Sequence, residues 1–545
     1  MKNRSIAPAF CAFLICCSYL LVTCRPPVDP NPPPALPAAP ANVRVVVQSG
    51  DNYLAWDAVS GAVSYKVYFS SDGSTYGSAA SGLAASQYLL PNYGYYEVSA
   101  VNSVGEGSRS SALHHTPSLT AAATPTFSPV AGNYDAAQDI TISTTTPSAT
   151  IYYTTDGTTP SVATSLHDSA AIHVAIGETV TVKAIAVASG FSNSDEAMGS
   201  FHVTGWAVVG SAGFSETSVA DTTLAIDGTI PFVAYRDGNS PYKVSVQKFD
   251  GSSWSLVGNA GFSAGSVSFL TLATYLGEPY VAFMDGSLMN ANATAMRYTA
   301  AGGWQILGSA GFSANEADYT SLAVYNGTPY VAFQDWDVAG KATVMSFSGS
   351  SWSALGSSGF SAGVASHVSL AFSTSGTPYV AYADAGNSSK ATVLRYDGTS
   401  WSVVGSAGFS GGTVSYVSLA IDSDGDPWVA YKDGAASGKA TVMEYSASGV
   451  WQEVGGSGIS GGSVDYVSLV INGTVPLIAY KDNSAGGKAT VLKYSVSDGW
   501  SPQGVSAFSP GVADYVSLRL DSSAIPYIVF KDSANGSGAT VMRYK

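Results

Sequence analysis

The chain has 545 residues, a length that predicts three or four domains rather than one. Hydrophobic residues make up 46% of it, but charged residues only 11%, less than half of the usual share of about a quarter. The 23 basic and 38 acidic side chains give a formal net charge of -15. This balance excludes a nucleic-acid binder, because phosphate neutralisation needs clustered basic groups, and it argues against adhesion to anionic lipid.

The first residues are typical of an export signal. Lys2 and Arg4 precede an apolar run over residues 7–22, which suits a secretory signal peptide of residues 1–23 better than a stop-transfer helix. All four cysteines lie in the first 24 residues, at Cys11, Cys16, Cys17 and Cys24. Disulfides, zinc knuckles and cysteine nucleophiles are therefore excluded from the rest of the chain.

The end of this signal, Leu21-Val22-Thr23-Cys24, resembles a bacterial lipobox, although Thr23 replaces the usual Gly, Ala or Ser. The resemblance implies that Cys24 is lipidated and anchors the protein in the cell envelope; an ordinary secretory signal cut nearby is the alternative. Arg25, in place of Asp, implies sorting to the outer membrane or cell surface. Residues 24–40 are rich in proline and predict a stiff polyproline II tether of roughly 50 Å.

Residues 41–117 alternate apolar and polar side chains in several short runs, which predicts a β-sandwich. The strand with Trp56, the strand with Tyr65 and Tyr68, and the Val-Ser-Ala-Val-Asn sequence at 98–102 together resemble a fibronectin type III domain. The resemblance implies a spacer. The corner tyrosine of that family aligns with Gly94, so its hydrogen bond is either lost or supplied by another residue.

Residues 124–204 form a second small β-module. The run Tyr-Tyr-Thr-Thr-Asp-Gly-Thr-Thr-Pro at 152–160 resembles the C-terminal domain of chitobiase and β-hexosaminidase. The resemblance implies a β-sandwich fold. In those enzymes this module is an appendage, so it implies no catalytic residue here.

A repeat of 48 to 50 residues fills the region 205–545. Its tryptophans are Trp206, Trp254, Trp304, Trp352, Trp401, Trp451 and Trp500, each followed by a glycine-containing turn. Each repeat predicts four short strands, as in one blade of a β-propeller. The fold class is therefore all-β: two small β-sandwich modules followed by a seven-bladed β-propeller. Because the last repeat ends without a tryptophan strand, the strand at Trp206 is expected to complete the last blade.

An aspartate ends the second strand of every repeat, at Asp237, Asp285, Asp335, Asp384, Asp433, Asp482 and Asp532. In five repeats a lysine follows six residues later: Lys243, Lys341, Lys390, Lys439 and Lys488. The aspartates either pair with these lysines or accept backbone N–H groups in the turn. Seven copies favour a structural role, because catalysis needs one asymmetric arrangement.

One position before each innermost strand is the candidate ligand site. Around the ring it holds Asp221, Phe269, Tyr319, His367, Tyr416, Tyr466 and Tyr515, with Asp318, Asp465 and Asp514 beside three of them. These aromatic rings either stack on a sugar or peptide near the channel mouth or pack beneath the neighbouring loops. The phenylalanines of the Gly-Phe-Ser loops are expected in the core between blades: Phe214, Phe262, Phe312, Phe360, Phe409 and Phe508.

Two departures from the repeat are further candidates. Trp336 lies between acidic residues in a loop on the same face and is expected to contact a partner. Asp422, Asp424 and Asp426 form either a Ca²⁺ site or an ordinary turn. No other cofactor is predicted.

Sequence signatures of metalloproteases, nucleotide-binding enzymes and serine hydrolases are absent from the sequence. We therefore predict a monomeric, surface-tethered, non-catalytic protein that binds an extracellular glycan or protein through the propeller face. A carbohydrate-active hydrolase and a structural envelope protein are the alternatives, since repeated aspartates could conceal a catalytic carboxylate pair.

Overall fold

The computed structural model describes residues 34–545 except 118, 164, 168–170, 216 and 447. The predicted signal peptide, the lipidation site Cys24 and most of the tether lie outside the described residues. The described residues form strands and four short 3₁₀ helices, which agrees with the predicted all-β class. Among them we find no helix with the length and apolar character needed to span a membrane.

The chain divides into two compact units, which meet at residues 120 and 121. The strands of the first unit are β1 Arg44–Gln48, β2 Asp51–Ala55, β3 Ser64–Ser70, β4 Gly77–Leu83, β5 Gln87–Leu89, β6 Gly94–Val101, β7 Glu106–Arg109 and β8 Leu113–His115. One sheet has the order β1-β2-β5 and the other β4-β3-β6-β7, with β8 also paired to β6. Between them lies a core that includes Leu54, Trp56 and Val98.

The corner hydrogen bond of this unit is supplied by Tyr96. Its side chain is fully buried and its hydroxyl donates to the carbonyl oxygen of Asn92 at 2.8 Å. Gly94 has φ +147°, and a Cβ there would lie 2.6 Å from the carbonyl oxygen of Ser70. A side chain at position 94 would clash with the backbone, and the tyrosine hydroxyl bonded to this turn is that of Tyr96, two residues later.

The second unit begins with a module of two sheets, ordered β10-β16-β15-β12-β13 and β14-β11-β9. Its strands are β9 Thr126–Ser128, β10 Gly132–Tyr134, β11 Gln138–Ser143, β12 Thr150–Thr154, β13 Leu166–His167, β14 Ile172–Val174, β15 Thr179–Val187 and β16 Ala197–Val203. Ile140, Val182 and Phe201 are fully buried in its core. The module is a β-sandwich, as predicted.

Seven four-stranded antiparallel sheets follow. The strands of blades 1 to 3 are β18 Val219–Asp227, β19 Ile230–Asp237, β20 Lys243–Phe249, β21 Trp254–Leu256, β22 Val267–Tyr275, β23 Glu278–Asp285, β24 Ala293–Thr299, β25 Gly303–Ile306, β26 Ala317–Tyr325, β27 Thr328–Asp335, β28 Lys341–Phe347 and β29 Trp352–Ala354. Those of blades 4 to 6 are β30 Ala365–Phe372, β31 Pro378–Asp384, β32 Lys390–Tyr396, β33 Trp401–Val403, β34 Val414–Ile421, β35 Pro427–Asp433, β36 Lys439–Tyr445, β37 Trp451–Glu453, β38 Val464–Asn472, β39 Val475–Asp482, β40 Lys488–Ser495 and β41 Gly499–Pro502. Blade 7 has β42 Ala513–Leu520, β43 Pro526–Asp532, β44 Gly538–Tyr544 and, as its outer strand, β17 Trp206–Val208. The 3₁₀ helices are Trp336–Val338, Ala385–Asn387, Asn483–Ala485 and Ser533–Asn535.

Two sets of contacts, one at the outside and one at the axis, close the blades into a ring, as the sequence predicts. At the outside, β17 pairs with β44, so Trp206 lies opposite Tyr544. At the axis, the backbone N–H of Leu224 in blade 1 donates to the Ser517 hydroxyl of blade 7 at 3.3 Å. These contacts join residues about 300 positions apart and leave no blade edge open at the junction.

A belt of aromatic pairs joins the outer strands. In every blade the tryptophan indole N–H donates to a backbone carbonyl of the preceding blade at 2.7–2.9 Å. Six tryptophans also stack on the phenylalanine of a Gly-Phe-Ser loop, at ring-centroid distances of 4.0–4.6 Å. The predicted core position of these phenylalanines is thus confirmed. In the seventh position Ile459 replaces phenylalanine beside Trp500.

The repeated aspartates have the predicted structural role. Each one accepts the backbone N–H of the residue two positions later at 2.9–3.1 Å. In six blades its second oxygen also accepts the hydroxyl of a serine or threonine on the third strand at 2.8–3.1 Å. The carboxylates thus fix the turn between strands two and three, and the pairing with lysine is the alternative that the structure does not adopt.

Candidate ligand-binding site

The inner strand of every blade contains a β-bulge near its start. The register of the first two strands shifts there in all seven blades. The bulged residues have φ between +47° and +54° and are Asp221, Phe269, Tyr319, His367, Tyr416, Tyr466 and Tyr515. Side chains of this size rarely adopt this left-handed conformation, which costs of order 1–3 kcal/mol at each position. The bulges direct the predicted ligand residues to one end of the central channel, which we call the mouth.

Six of these residues form an arc of aromatic side chains in contact with one another, which we call the girdle: Phe269, Tyr319, His367, Tyr416, Tyr466 and Tyr515. Neighbouring rings are tilted against one another with centroids 4.8–5.5 Å apart. Asp221 occupies the seventh position, in blade 1, and interrupts the girdle between Tyr515 of blade 7 and Phe269 of blade 2. The seven residues line a depression of about 270 Å³.

The girdle side chains are half-buried. Tyr319, Tyr416 and Tyr466 pack against the hydrophobic cores of their neighbourhood while also lining the depression. The two sequence interpretations, packing and ligand contact, therefore describe different sides of the same rings. Burial raises the pKa of these tyrosines and of Tyr515, so their hydroxyl groups remain protonated donors at neutral pH.

His367 is the only histidine of the girdle. Burial lowers its pKa to about 4, because a protonated imidazole would lose its hydration between two tyrosine rings. At neutral pH it presents an uncharged aromatic face to the depression.

Two of the predicted aspartates are bound to lysines of the preceding blade. Lys432 donates to Asp465 at 2.7 Å, and Lys481 donates to Asp514 at 2.6 Å. Burial opposes ionisation of Asp465, but hydrogen bonds from Lys432 and Asn483 outweigh it and hold its pKa below the usual value. These carboxylates are anionic partners within bonds that join neighbouring blades.

The other two carboxylates at the mouth are also partnered. The Trp336 indole N–H donates to Asp318 at 2.9 Å, while 42% of the Trp336 side chain stays exposed. The predicted loop tryptophan thus lies beside a predicted site aspartate. Asp221 accepts a hydrogen bond from Arg236 at 3.0 Å.

Sequence analysis missed the cations of the mouth: Arg236, Lys432, Lys481 and Lys531. Each one directly precedes a repeated aspartate, so a signal was present in the Arg-Asp and Lys-Asp pairs of strand two. The lysines that follow five of the aspartates six residues later lie on strand three and do not take part in the ion pairs at the mouth. The cations come from blades 5, 6, 7 and 1, and the corresponding residues of blades 2 to 4 are Met284, Gln334 and Ala383.

The predicted Ca²⁺ residues are only partly brought together. Asp422 and Asp426 lie near Glu444 of the third strand, with carboxylate oxygens within 4.8 Å of one another. Asp424 is exposed and does not join them, because its backbone N–H caps Asp422 and its side chain stays outside the turn. Asp422 also accepts hydrogen bonds from the Asp426 N–H and the Trp428 indole N–H. These bonds stabilise the buried Asp422 carboxylate within the turn, as the interpretation as an ordinary turn predicts.

Larger grooves lie between blades at the opposite end of the propeller. One of about 530 Å³ is lined by Tyr379 and Arg395, and another of about 740 Å³ by Tyr280 and Arg297. The mouth is smaller, but its lining includes seven strained residues, one from each blade, that converge on the axis. Backbone strain of this kind concentrates at functional sites, which favours the mouth as the candidate.

Comparison with known proteins agrees with one part of this organisation. A family model described as "Chitobiase/beta-hexosaminidase C-terminal domain" matches residues 129–199, which confirms the resemblance of the second module. No curated protein matches the chain.

Several solved structures are similar to the chain at low identity. The lectin of Aleuria aurantia is 15% identical, with a TM-score of 0.36 over 54% of this chain and 99% of that one. An ulvan lyase is 11% identical, with a TM-score of 0.43 over 62% and 95%. A variant of AofleA from Arthrobotrys oligospora is 10% identical, with a TM-score of 0.38 over 56% and 91%. Similarity at this level does not assign a ligand or an activity, and the propeller fold stands on the sheets described above.

Proposed function

We propose that this protein is a surface-tethered binding protein that recognises a glycan at the propeller mouth without transforming it. The observation that carries the proposal is the girdle: six aromatic side chains held in strained bulges around a depression of about 270 Å³. Sugar rings have apolar C–H faces that stack on aromatic rings and hydroxyl groups that bond to nearby polar side chains. The mouth offers both kinds of group.

The size of the depression favours a short sugar segment over a protein ligand. Small-molecule pockets have volumes of about 300–1,000 Å³, whereas a stable protein interface buries about 800 Å² on each partner. At about 270 Å³ the depression lies just below the first range. One or two sugar residues at the end or side of a chain suit it best.

The partners of the carboxylates favour binding over hydrolysis. A glycosidase needs one protonated carboxyl as general acid, usually paired with a second carboxylate. At the mouth Asp465 and Asp514 are bonded to lysines, Asp221 to an arginine and Asp318 to an indole. For Asp465, the hydrogen bonds from Lys432 and Asn483 outweigh burial and hold the pKa of the carboxyl below its usual value, which suits a hydrogen-bond acceptor rather than a proton donor.

The proposal includes attachment to the cell envelope through lipidated Cys24 and a tether of residues 24–40, with the protein acting as a monomer. A lipid-modified N-terminal cysteine would hold the protein at the bilayer surface without spanning it. Metabolic labelling with a fatty-acid analogue tests this part. Label that disappears in Cys24→Ala supports it, and label that persists overturns it.

The binding function is tested with the purified mature protein on a glycan array, followed by calorimetry with the best ligand. Tyr416→Ala and Tyr466→Ala are each expected to weaken binding about three- to tenfold, the contribution of one aromatic stack. Tyr275→Ala is the matched control, because Tyr275 ends the inner strand of blade 2 at the opposite face.

Thermal unfolding of each variant establishes that the propeller remains folded. Equal losses in all three variants, or no loss at Tyr416 and Tyr466, would contradict a site at the mouth. Release of sugar from a bound polysaccharide would replace the proposal with the hydrolase alternative.

A further inference from the structure

The ion pairs at the mouth follow a repeat of their own. A lysine on the second strand of one blade bonds to the aspartate just before the bulge of the next blade. Lys432 of blade 5 bonds to Asp465 of blade 6, and Lys481 of blade 6 bonds to Asp514 of blade 7. The next member is Lys531 of blade 7, whose partner in blade 1 should be residue 220.

The chain of ion pairs ends at Lys531, because residue 220 is alanine. The next residue, Asp221, is bonded to Arg236 of its own blade. Asp514 lies opposite Lys531 in strand register, but its carboxylate is bonded to Lys481. Among the described residues no hydrogen bond or ion pair to the Lys531 ammonium is made, although the side chain is half-buried.

Lys531 belongs to the blade beside the interruption of the girdle. Equivalent lysines show how far this position reaches: the ammonium groups of Lys432 and Lys481 lie 5.9 and 6.0 Å from the ring centroids of Tyr416 and Tyr466. In blade 7 the corresponding girdle residue is Tyr515, next to Asp221. Within the described part of the chain, the Lys531 ammonium therefore has no protein partner to displace and is free to make a charge-assisted hydrogen bond to an anionic group of a ligand.

We propose that the glycan bound at the mouth is acidic and that its carboxylate or sulfate group binds Lys531 while the sugar ring stacks on Tyr515. This inference rests on the proposed function and specifies the ligand class of the same site. Of the four cations between blade 5 and blade 1, Lys432, Lys481 and Arg236 are paired with carboxylates, so Lys531 is the one that faces the anionic group. On blades 2 and 4 the corresponding positions hold the uncharged residues Met284 and Ala383, which would face the remaining sugars of the glycan.

The test compares matched probes on the mature protein by calorimetry. Tetragalacturonate is compared with its methyl ester, and a sulfated galactan tetrasaccharide with its desulfated form. We expect at least one acidic probe to bind about tenfold more tightly than its neutral counterpart, as for a hydrogen bond to a charged group. The pair that shows the preference identifies carboxylate or sulfate as the anion, and the preference should fall with added salt.

Three variants assign the preference to Lys531. Lys531→Met should remove the preference and leave binding of the neutral probe unchanged, and Ala220→Asp should do the same by supplying the missing partner. Lys493→Met, an exposed lysine on strand three of blade 6, makes the same charge change and should leave the preference intact.

The possible failures are distinguishable. Equal binding of acidic and neutral probes, with the loss at Tyr416→Ala retained, overturns the acidic ligand and keeps the glycan site. A preference that survives both Lys531→Met and Ala220→Asp overturns the role of Lys531. Binding of none of the probes and of no glycan on the array overturns the proposed function together with this inference.

Discussion

Replacing His367 with phenylalanine should make the propeller more resistant to acid. The imidazole lies between Tyr319 and Tyr416, at ring-centroid distances of 4.8 and 5.5 Å, and burial lowers its pKa from 6.5 to about 4. Above pH 6.5 the histidine is neutral in both the folded and the unfolded chain. As the pH falls from 6.5 to 4, the unfolded chain gains a proton that the folded chain does not bind, so stability is lost over this window.

The magnitude follows from the difference in pKa between the two states. A pKa that falls from 6.5 to about 4 on folding lowers the free energy of unfolding by about 3 kcal/mol on acidification, at about 1.36 kcal/mol per pKa unit. One side of the ring lines the depression and is partly hydrated, so about 1–3 kcal/mol is expected. His367→Phe should therefore gain this amount over the wild type between pH 7 and pH 4.

Denaturant unfolding followed by tryptophan fluorescence, repeated at several pH values, measures this difference. Tyr416→Phe is the control, since burial raises the pKa of Tyr416 further above 10 and its hydroxyl does not titrate in this range. The difference between His367→Phe and wild type should widen on acidification, whereas that of the control should stay constant. A difference between His367→Phe and wild type that does not change with pH would refute the burial argument. NMR gives a second check: the histidine resonance that is absent from His367→Phe belongs to His367, and its titration near pH 6.5 in the wild type would also refute the argument.

Two further predictions concern blades 5 and 6. Ile459→Phe supplies the missing aromatic partner of Trp500 and should raise the free energy of unfolding by about 0.5–1.5 kcal/mol in denaturant unfolding; a loss would show that this loop has no room for the ring. Glu444→Gln should raise the melting temperature at pH 7. Burial and the charges of Asp422 and Asp426 raise the pKa of Glu444, so the ionised carboxylate destabilises the folded protein at neutral pH. The gain should vanish near pH 4, where Glu444 is already protonated, and a gain of equal size at both pH values would point to packing instead. Added Ca²⁺ should raise the melting temperature of wild type but not of Glu444→Gln if a cation binds these carboxylates.

Within one repeat, the sequence was sufficient. A tryptophan every 48 to 50 residues, a Gly-Phe-Ser loop and an aspartate after the second strand predicted seven blades, because each blade forms from local hairpins. The position of the girdle was predictable for the same reason. It lies at the third residue of the innermost strand in every repeat, inside the strand rather than just before it as the sequence predicted, and the inner strands of a ring converge on one axis.

Between repeats, only the tertiary structure decided which groups meet. Lys432 reaches Asp465, and the lack of such a partner for Lys531 becomes visible only when blades 7 and 1 are adjacent. Glu444 joins Asp422 and Asp426 from a neighbouring strand, whereas Asp424, nearer in sequence, is exposed and not part of the group. Spacing along a chain specifies the strand on which a residue lies, but side-chain direction and the packing of separate sheets determine its partners.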